Sequence, residues 1–549
     1  MSPWRAAPAS AVRRVLLALV ALASAACAGA GPRAVVVGDD ACDYCRMEVG
    51  DARFAAEVVT GAGRVHIFDS IDCMVDYVRG ATDSGARALW VTDAEHPGGF
   101  VQAERAGYLV GASLRGPMGG TVAFADAAAA REAQATYGGT VADWAAVLAD
   151  TVALVSPAGR TIDVQADPAV GALAAAVAAA TPGTVIRLAP GTYREPTVVV
   201  RVPRITITGD GAILDGEGKH EILVVHADSV TIRGLTFMNT GVSQMQDRAA
   251  LRVMESRDCL IEGNRFRDAL FAIYLQRTTG CEVRGNDIVG AGLEETRNGN
   301  GIHLWYSPGT RVVDNTVSAQ RDGIYFEFSR GSVAAGNVSE GNRRYGLHFM
   351  FSDSCRYVRN TFRANGAGVA VMYSHQVVMD GNGFLDATGS GAFGLLLKEI
   401  ADGALLRNRF IGNSTGLFLE GASRLDVRDN DFRRNGWAIR LMADAEANHF
   451  RGNVFAGNAF DVSTNSRTLQ SDFDGNWWDA YTGYDIDRDG TGDVPFRPVR
   501  LFALVVEKHP ESLLLLRAPV TAVLDAAERV FPVLTPALAD AHPLMRAPR

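Results

Sequence analysis

Between residues 264 and 476 an asparagine returns ten times, at Asn264, Asn286, Asn315, Asn337, Asn360, Asn382, Asn408, Asn430, Asn453 and Asn476, in settings such as IEGNRF, VDNTV and RGNVF. The intervals are 22, 29, 22, 23, 22, 26, 22, 23 and 23 residues. Such a period marks a solenoid, because a coil this short buries its apolar side only by stacking on its neighbours. The intervening segments are β-rich and cut by Gly, Asn and Asp, with no amphipathic stretch of helix length. The expected fold is mainly β, a right-handed single-stranded parallel β-helix.

Counting back from each asparagine tests that register. Offsets −13 and −11 give Ile273/Leu275, Ile302/Leu304, Ile324/Phe326, Leu347/Phe349, Val369/Val371, Leu395/Leu397 and Leu417/Leu419. All fourteen are apolar, so both columns face the core. The asparagine column reads as a structural ladder at an inside turn. Ala-rich residues 170–180 predict a helical N-terminal cap over the open edge of the first coil. Residues 510–532 have helical spacing and are expected to cap, or dock on, the last coil.

The alternate offsets point out of the coil. Offset −12 carries Tyr274, His303, Tyr325, His348, Ala370, Leu396 and Phe418, and offset −10 carries Gln276, Trp305, Glu327, Met350, Met372, Lys398 and Glu420. With coils roughly 4.8 Å apart and alternate residues roughly 6.6 Å apart, His348, Met350 and Met372 form a small triangle. Thioethers and imidazole are a soft ligand set that favours Cu(I) over Mg or Ca. His303 and Glu327 are neighbours of that candidate site. Two other readings stand beside it: a docking surface for a partner, and a sugar groove in which aromatics lie beside Glu327, Glu399 and Glu420.

Two further patterns lie in the repeat region. Cys259, Cys281 and Cys355 share offset −5, either as small buried residues or, for the first two, as a disulfide or thiol pair. Asp485, Asp487, Asp489 and Asp493 occupy positions 1, 3, 5 and 9 of a calcium-type loop, but position 12 is Phe496, so a tight acidic turn competes with Ca.

Residues 34–145 lack the repeat and are expected to form a small α+β domain, with strands near 54–59 and 64–68 and a helix over 69–78. A linker over 146–165 leads to the β-helix at 166–500 and a capping or docking segment at 501–549. The first domain opens on Cys42-Asp-Tyr-Cys45-Arg-Met47. Two thiolates and a thioether so close together suit Cu(I), and Met118 and Cys73-Met74 offer further sulfur. A Cys42–Cys45 disulfide is the rival reading.

Arg5, Arg13 and Arg14 followed by a short apolar run over 15–26 read as an export signal. Ser24-Ala25-Ala26-Cys27 allows either lipidation of Cys27 or simple cleavage. No later stretch reaches the roughly 18 apolar residues of a spanning helix, so a periplasmic protein is expected, free or lipid-anchored. A net charge of −9 without a basic stripe argues against nucleic acid.

The segments RDGIYFEF, RRYGLHFMFSD, NGAGVAVMYS, FGLLLKEI, NGWAIRL and WWDAYTGYDIDRDGTGDVPFRP resemble the NosD family of periplasmic β-helix maturation proteins of nitrous oxide reductase, over roughly residues 160–549. CDYCRM, VHIFDSIDCM and GPMGG are similar to the NosL family of copper-binding lipoproteins, over roughly 34–145. The resemblance implies a fusion in which copper bound by the first domain passes to the β-helix. It also implies a non-enzymatic role in assembling the reductase's copper-sulfide cluster, with an ABC transporter permease and ATPase as partners. The ligands it points to are Cys45, Met47 and Met118, with Cys42 beside them. A carbohydrate-binding or carbohydrate-processing β-helix is the alternative.

Overall fold

The computed structural model describes residues 31–44, 49–61, 63–80, 86–112, 114, 116, 120–149, 160–166, 171–243, 245–292, 298–466, 470–516, 518–530 and 538–548. Two compact units divide the chain, Met1–Ala158 and Gly159–Arg549.

In the first unit an antiparallel four-stranded sheet is ordered Val65–Phe68, Ala56–Thr60, Ala86–Thr92, Phe100–Gln102. Helix Ile71–Gly80 follows its first hairpin, within two residues of the expected span. A second sheet places Gly107–Val110 between Thr121–Phe124 and Thr140–Ala142, with helix Ala127–Tyr137 against it. Asp126 caps that helix by accepting from Ala128 N and Ala129 N, which satisfies two of the free N–H groups of its first turn.

The second unit is a parallel β-solenoid whose coils contribute to three sheets of 12, 13 and 14 strands. Like side chains stack on like because the strands pair in register: Ile273 with Ile302, Ile302 with Ile324, Ile324 with Leu347, Leu347 with Val369, Val369 with Leu395. All fourteen residues of the two apolar columns are buried. The asparagine ladder is continuous. Asn315 Nδ2, for example, donates to Asn337 Oδ1 at 3.0 Å and to Val283 O at 2.9 Å, while Asn315 N donates to the same Oδ1. Each buried amide thus satisfies backbone groups that the turn leaves unpaired. A Phe column two residues later stacks face to face, as Phe384, Phe410, Phe432 and Phe455 do at 4.6–5.0 Å.

The first coil is closed by helix Ala172–Ala178, whose Leu173, Ala176 and Val177 are buried. Glu195 accepts from Leu173 N and Ala174 N at the start of that helix. At the other end helix Leu501–Lys508, inside 501–549 but ahead of the stretch at 510–532, packs Phe502 against Phe460 and ties Glu507 to Arg440 at 2.6 Å. Residues 510–515 are 3-10 helix, and Pro519–Val530 leaves Val520, Val523 and Leu524 exposed. The ladder itself is closed by Asp540. Among the described residues no helix is long and apolar enough to cross a membrane.

Candidate metal centres

Met350 and Met372 lie side by side in the 12-stranded sheet, in register on strands Leu347–Met350 and Val369–His375. Both are half-buried, and the Tyr325 hydroxyl donates to Met350 Sδ at 3.6 Å. Two thioethers therefore meet at the surface of the sheet, with Glu327 in register with Met350.

The −12 column is not the open face that alternation predicts. Tyr274, His303 and His348 are only 6–7% exposed, in contact with the offset −15 residues Phe271, Asn300, Asp322 and Tyr345. Their rings form a row: Tyr274 to His303 at 4.4 Å, His303 to Tyr325 at 4.7 Å and Tyr325 to His348 at 4.8 Å. Asp322, fully buried, sits in this cluster and takes two hydrogen bonds from Arg344 at 2.9 and 3.0 Å. Burial pushes its carboxyl up, but His348, Arg344 and Arg321 outweigh burial and hold it below the usual carboxylate range.

His348 Nδ1 lies inside the cluster, 3.1 Å from the Arg344 guanidinium and 3.9 Å from Asp322 Oδ2. Asn300 Nδ2 donates to His303 Nδ1 at 3.3 Å, with its Oδ1 fixed by Arg321, which places the His303 proton on Nε2. Desolvation drives His303 down to about 3, so it stays neutral. His348 Nε2 is itself buried, so the two half-buried methionines are the readier donors of the triangle.

Beside them runs a feature that offset counting had not singled out. Tyr306, Phe328, Phe351 and Tyr373, at offset −9, stack at 4.5, 5.0 and 5.1 Å with their rings near parallel. All four have positive φ, 48 to 53°, and Tyr306, Phe351 and Tyr373 are exposed. The signal was readable as four aromatics at one offset.

In the first unit, Cys42, Asp69 and Cys73 are buried with donor atoms all within 4.8 Å of one another. Ser70 starts the helix: its Oγ accepts from Cys73 N at 3.1 Å and its carbonyl from Met74 N. Cys73 thus sits in the first turn, where the free N–H groups favour a thiolate. Cys42 is brought to Cys73, a contact that sequence spacing does not reveal. Cys45, Met47, Met118 and Cys27 lie outside the described residues. Asp485, Asp487 and Asp489 also cluster, and Asp493 does not belong to that group. Their carboxylates accept from Arg488 N, Gly490 N, Asp489 N and Thr491 N, as a tight acidic turn requires.

Comparison with known proteins settles the family. The model for "Periplasmic copper-binding protein (NosD)" matches residues 290–483, that for NosL matches 34–152, and that for a right-handed β-helix region matches 206–317. The "Probable ABC transporter binding protein NosD" of Pseudomonas aeruginosa is 35% identical over 381 residues, covering 66% of this chain and 88% of that protein. The chain belongs to the NosD family. The NosD protein of the same name from Stutzerimonas stutzeri is 32% identical over 360 residues, covering 62% of this chain and 81% of its own. Ahead of its NosD region the chain carries a NosL-like one. Among solved structures, the copper chaperone NosL from Shewanella denitrificans aligns over 21% of this chain and 92% of its own, with 20% identity and a TM-score of 0.20. The A-module of the Azotobacter vinelandii mannuronan C-5 epimerase AlgE6 aligns over 56% and 92%, with 17% identity and a TM-score of 0.47.

Proposed function

We propose that this protein receives Cu(I) as cargo in the periplasm and helps to assemble the copper-sulfide cluster of nitrous oxide reductase, without turnover of its own. The observation that carries this reading is the pair of thioethers at Met350 and Met372, in register and half-exposed, on a chain of a family described as copper-binding. Soft ligands select Cu(I), and donors at a surface allow the release that delivery needs. Cys42, with Cys45, Met47 and Met118, would take the ion first. His348 completes the second site, with His303 and Glu327 as neighbours. Carrying both sites on one chain raises the effective concentration of donor at acceptor.

The partners follow the same line. Relatives named as ABC transporter binding proteins support a permease and ATPase as partners. Leu514, 93% exposed, and Val523, 66% exposed, fit an apolar docking surface near the end of the chain. Such docking, or lipid on Cys27, would hold the protein at a membrane.

The test is an anaerobic Cu(I) titration of the full chain against a competing chelator, with Met350→Ala/Met372→Ala and Cys42→Ser/Cys73→Ser variants alongside. The expected result is stoichiometric binding, with each double variant losing a different fraction of the copper. Failure of the wild-type chain to retain Cu(I) would overturn the reading. A carbohydrate role keeps one supporting observation, an open cavity of about 530 Å³ bordered by Glu221, Asp247, Arg248, Arg252 and Tyr274. Turnover of an oligosaccharide that survives chelation would favour it.

A further inference from the structure

We propose that Cys259 and Cys281 are joined by a disulfide in the exported protein, a covalent staple between two consecutive coils. Strands Leu260–Glu262 and Glu282–Arg284 pair with Leu260 opposite Glu282, which sets the two cysteines directly opposite each other. In-register parallel strands place Cα atoms roughly 4.8 Å apart, inside the range that a disulfide spans.

The sulfurs are oriented for it. Cys259 N donates to Cys281 Sγ at 3.4 Å, so the Cys281 sulfur already leans onto the preceding coil. Cys259 Sγ contacts Ala227 O at 3.5 Å, and one rotamer step turns it toward its partner. Selectivity follows from the same column. Thr310 and Ser332 separate Cys281 from Cys355, whose Sγ is held by Ser329 O at 3.0 Å.

The position gives the staple a purpose. Phe237 to Phe266 and Ile288 to Val317 are long coils of 29 residues, whereas Phe266 to Ile288 is 22. The stapled coil is thus the short one between two insertions, where the stack is most interrupted. On the copper-handling reading above, the bond also removes two thiols that would otherwise compete for Cu(I).

An oxidised dithiol–disulfide oxidoreductase of the exported compartment supplies the oxidant. The Cys281 thiolate attacks its disulfide, forming a mixed disulfide and expelling one thiolate. Cys259, deprotonated, then attacks Cys281 Sγ and expels the second. The S–S bond gained here equals the one lost by the donor, which leaves as a dithiol carrying both protons. With exposures of 3% and 0%, both sulfurs must react before the neighbouring coils close over them.

The test uses the full exported chain, acid-quenched, denatured, blocked with a maleimide and digested with trypsin without reductant. Peptides 258–265 and 278–284 are expected as one cross-linked species that separates on reduction, with loss of maleimide labelling at both cysteines. In Cys281→Ser, Cys259 should become labelled. Recovery of both wild-type peptides singly labelled, or of either cysteine bonded elsewhere, overturns the proposal. The readout is independent of copper, so it stands or falls apart from the proposed cargo.

Discussion

Asp540 stands to Asn476 as each asparagine of the ladder stands to the one before it. Its Oδ2 accepts from Asn476 N at 2.9 Å and from Asn476 Nδ2 at 3.0 Å, as Asn476 Oδ1 accepts from Asn453 N at 3.0 Å and Nδ2 at 2.9 Å. The same carboxylate takes Trp478 Nε1 at 3.0 Å, and Oδ1 takes Gly475 N. A side chain with acceptors only ends a ladder that otherwise needs another coil, because it asks for no further acceptor above it.

Asp540→Ala is therefore expected to leave buried donors unpaired and to destabilise the solenoid by about 3 kcal/mol. Hydrogen exchange should show the loss first in the coils ending at Asn453 and Asn476, with the early coils unchanged. Equal loss along the whole solenoid would contradict a local cap.

An interior rung should cost as much. Asn360 Oδ1 accepts from both Asn337 N and Asn337 Nδ2 at 2.9 Å. Asn360→Ala strands both donors in a fully packed turn, and about 3 kcal/mol should be lost in denaturant unfolding. Asn360→Asp, which keeps the acceptor but loses the donation to Ala334 O, should also be destabilised.

The exposed aromatic stack should behave in the opposite way. Phe351 holds φ at 51° between Phe328 and Tyr373. Replacement by asparagine relieves about 1 kcal/mol of left-handed strain and loses about the same in ring contact. Phe351→Asn should thus shift the unfolding midpoint very little. A large loss would show the stack to be part of the fold itself.

Asp461 supplies a pH dependence. It is 3% exposed, and burial pushes its carboxyl up to about 6, against the hydrogen bond that Asn458 Nδ2 donates at 3.2 Å. The native state holds this proton after the unfolded chain has lost it, so the contribution is full below about 4, near the unfolded value, and is lost as pH rises through about 6. Asp461→Asn should remove that slope and raise stability at pH 8 by on the order of 1–2 kcal/mol. Thermal unfolding of both proteins at pH 5 and pH 8 measures it.

The solenoid was legible in the sequence because stacked coils repeat their environment, so one offset reports one side-chain direction along the whole stack. Ile273 to Leu419 fell into the core for that reason, and the asparagines into their ladder. The same regularity sets Met350 beside Met372 without any knowledge of the rest. What alternation could not report is what covers a side chain that leaves the coil. His348 is buried beside Asp322 of the preceding coil and Arg344 of its own, and His303 beside Asn300 and the rings of Tyr274 and Tyr325. Cys42 next to Cys73 and Asp540 above Asn476 likewise join residues distant in the chain with no shared period. Periodic contacts are written locally and repeated; aperiodic ones are chosen by where the folded backbone brings unlike segments together, and only the tertiary structure decides them.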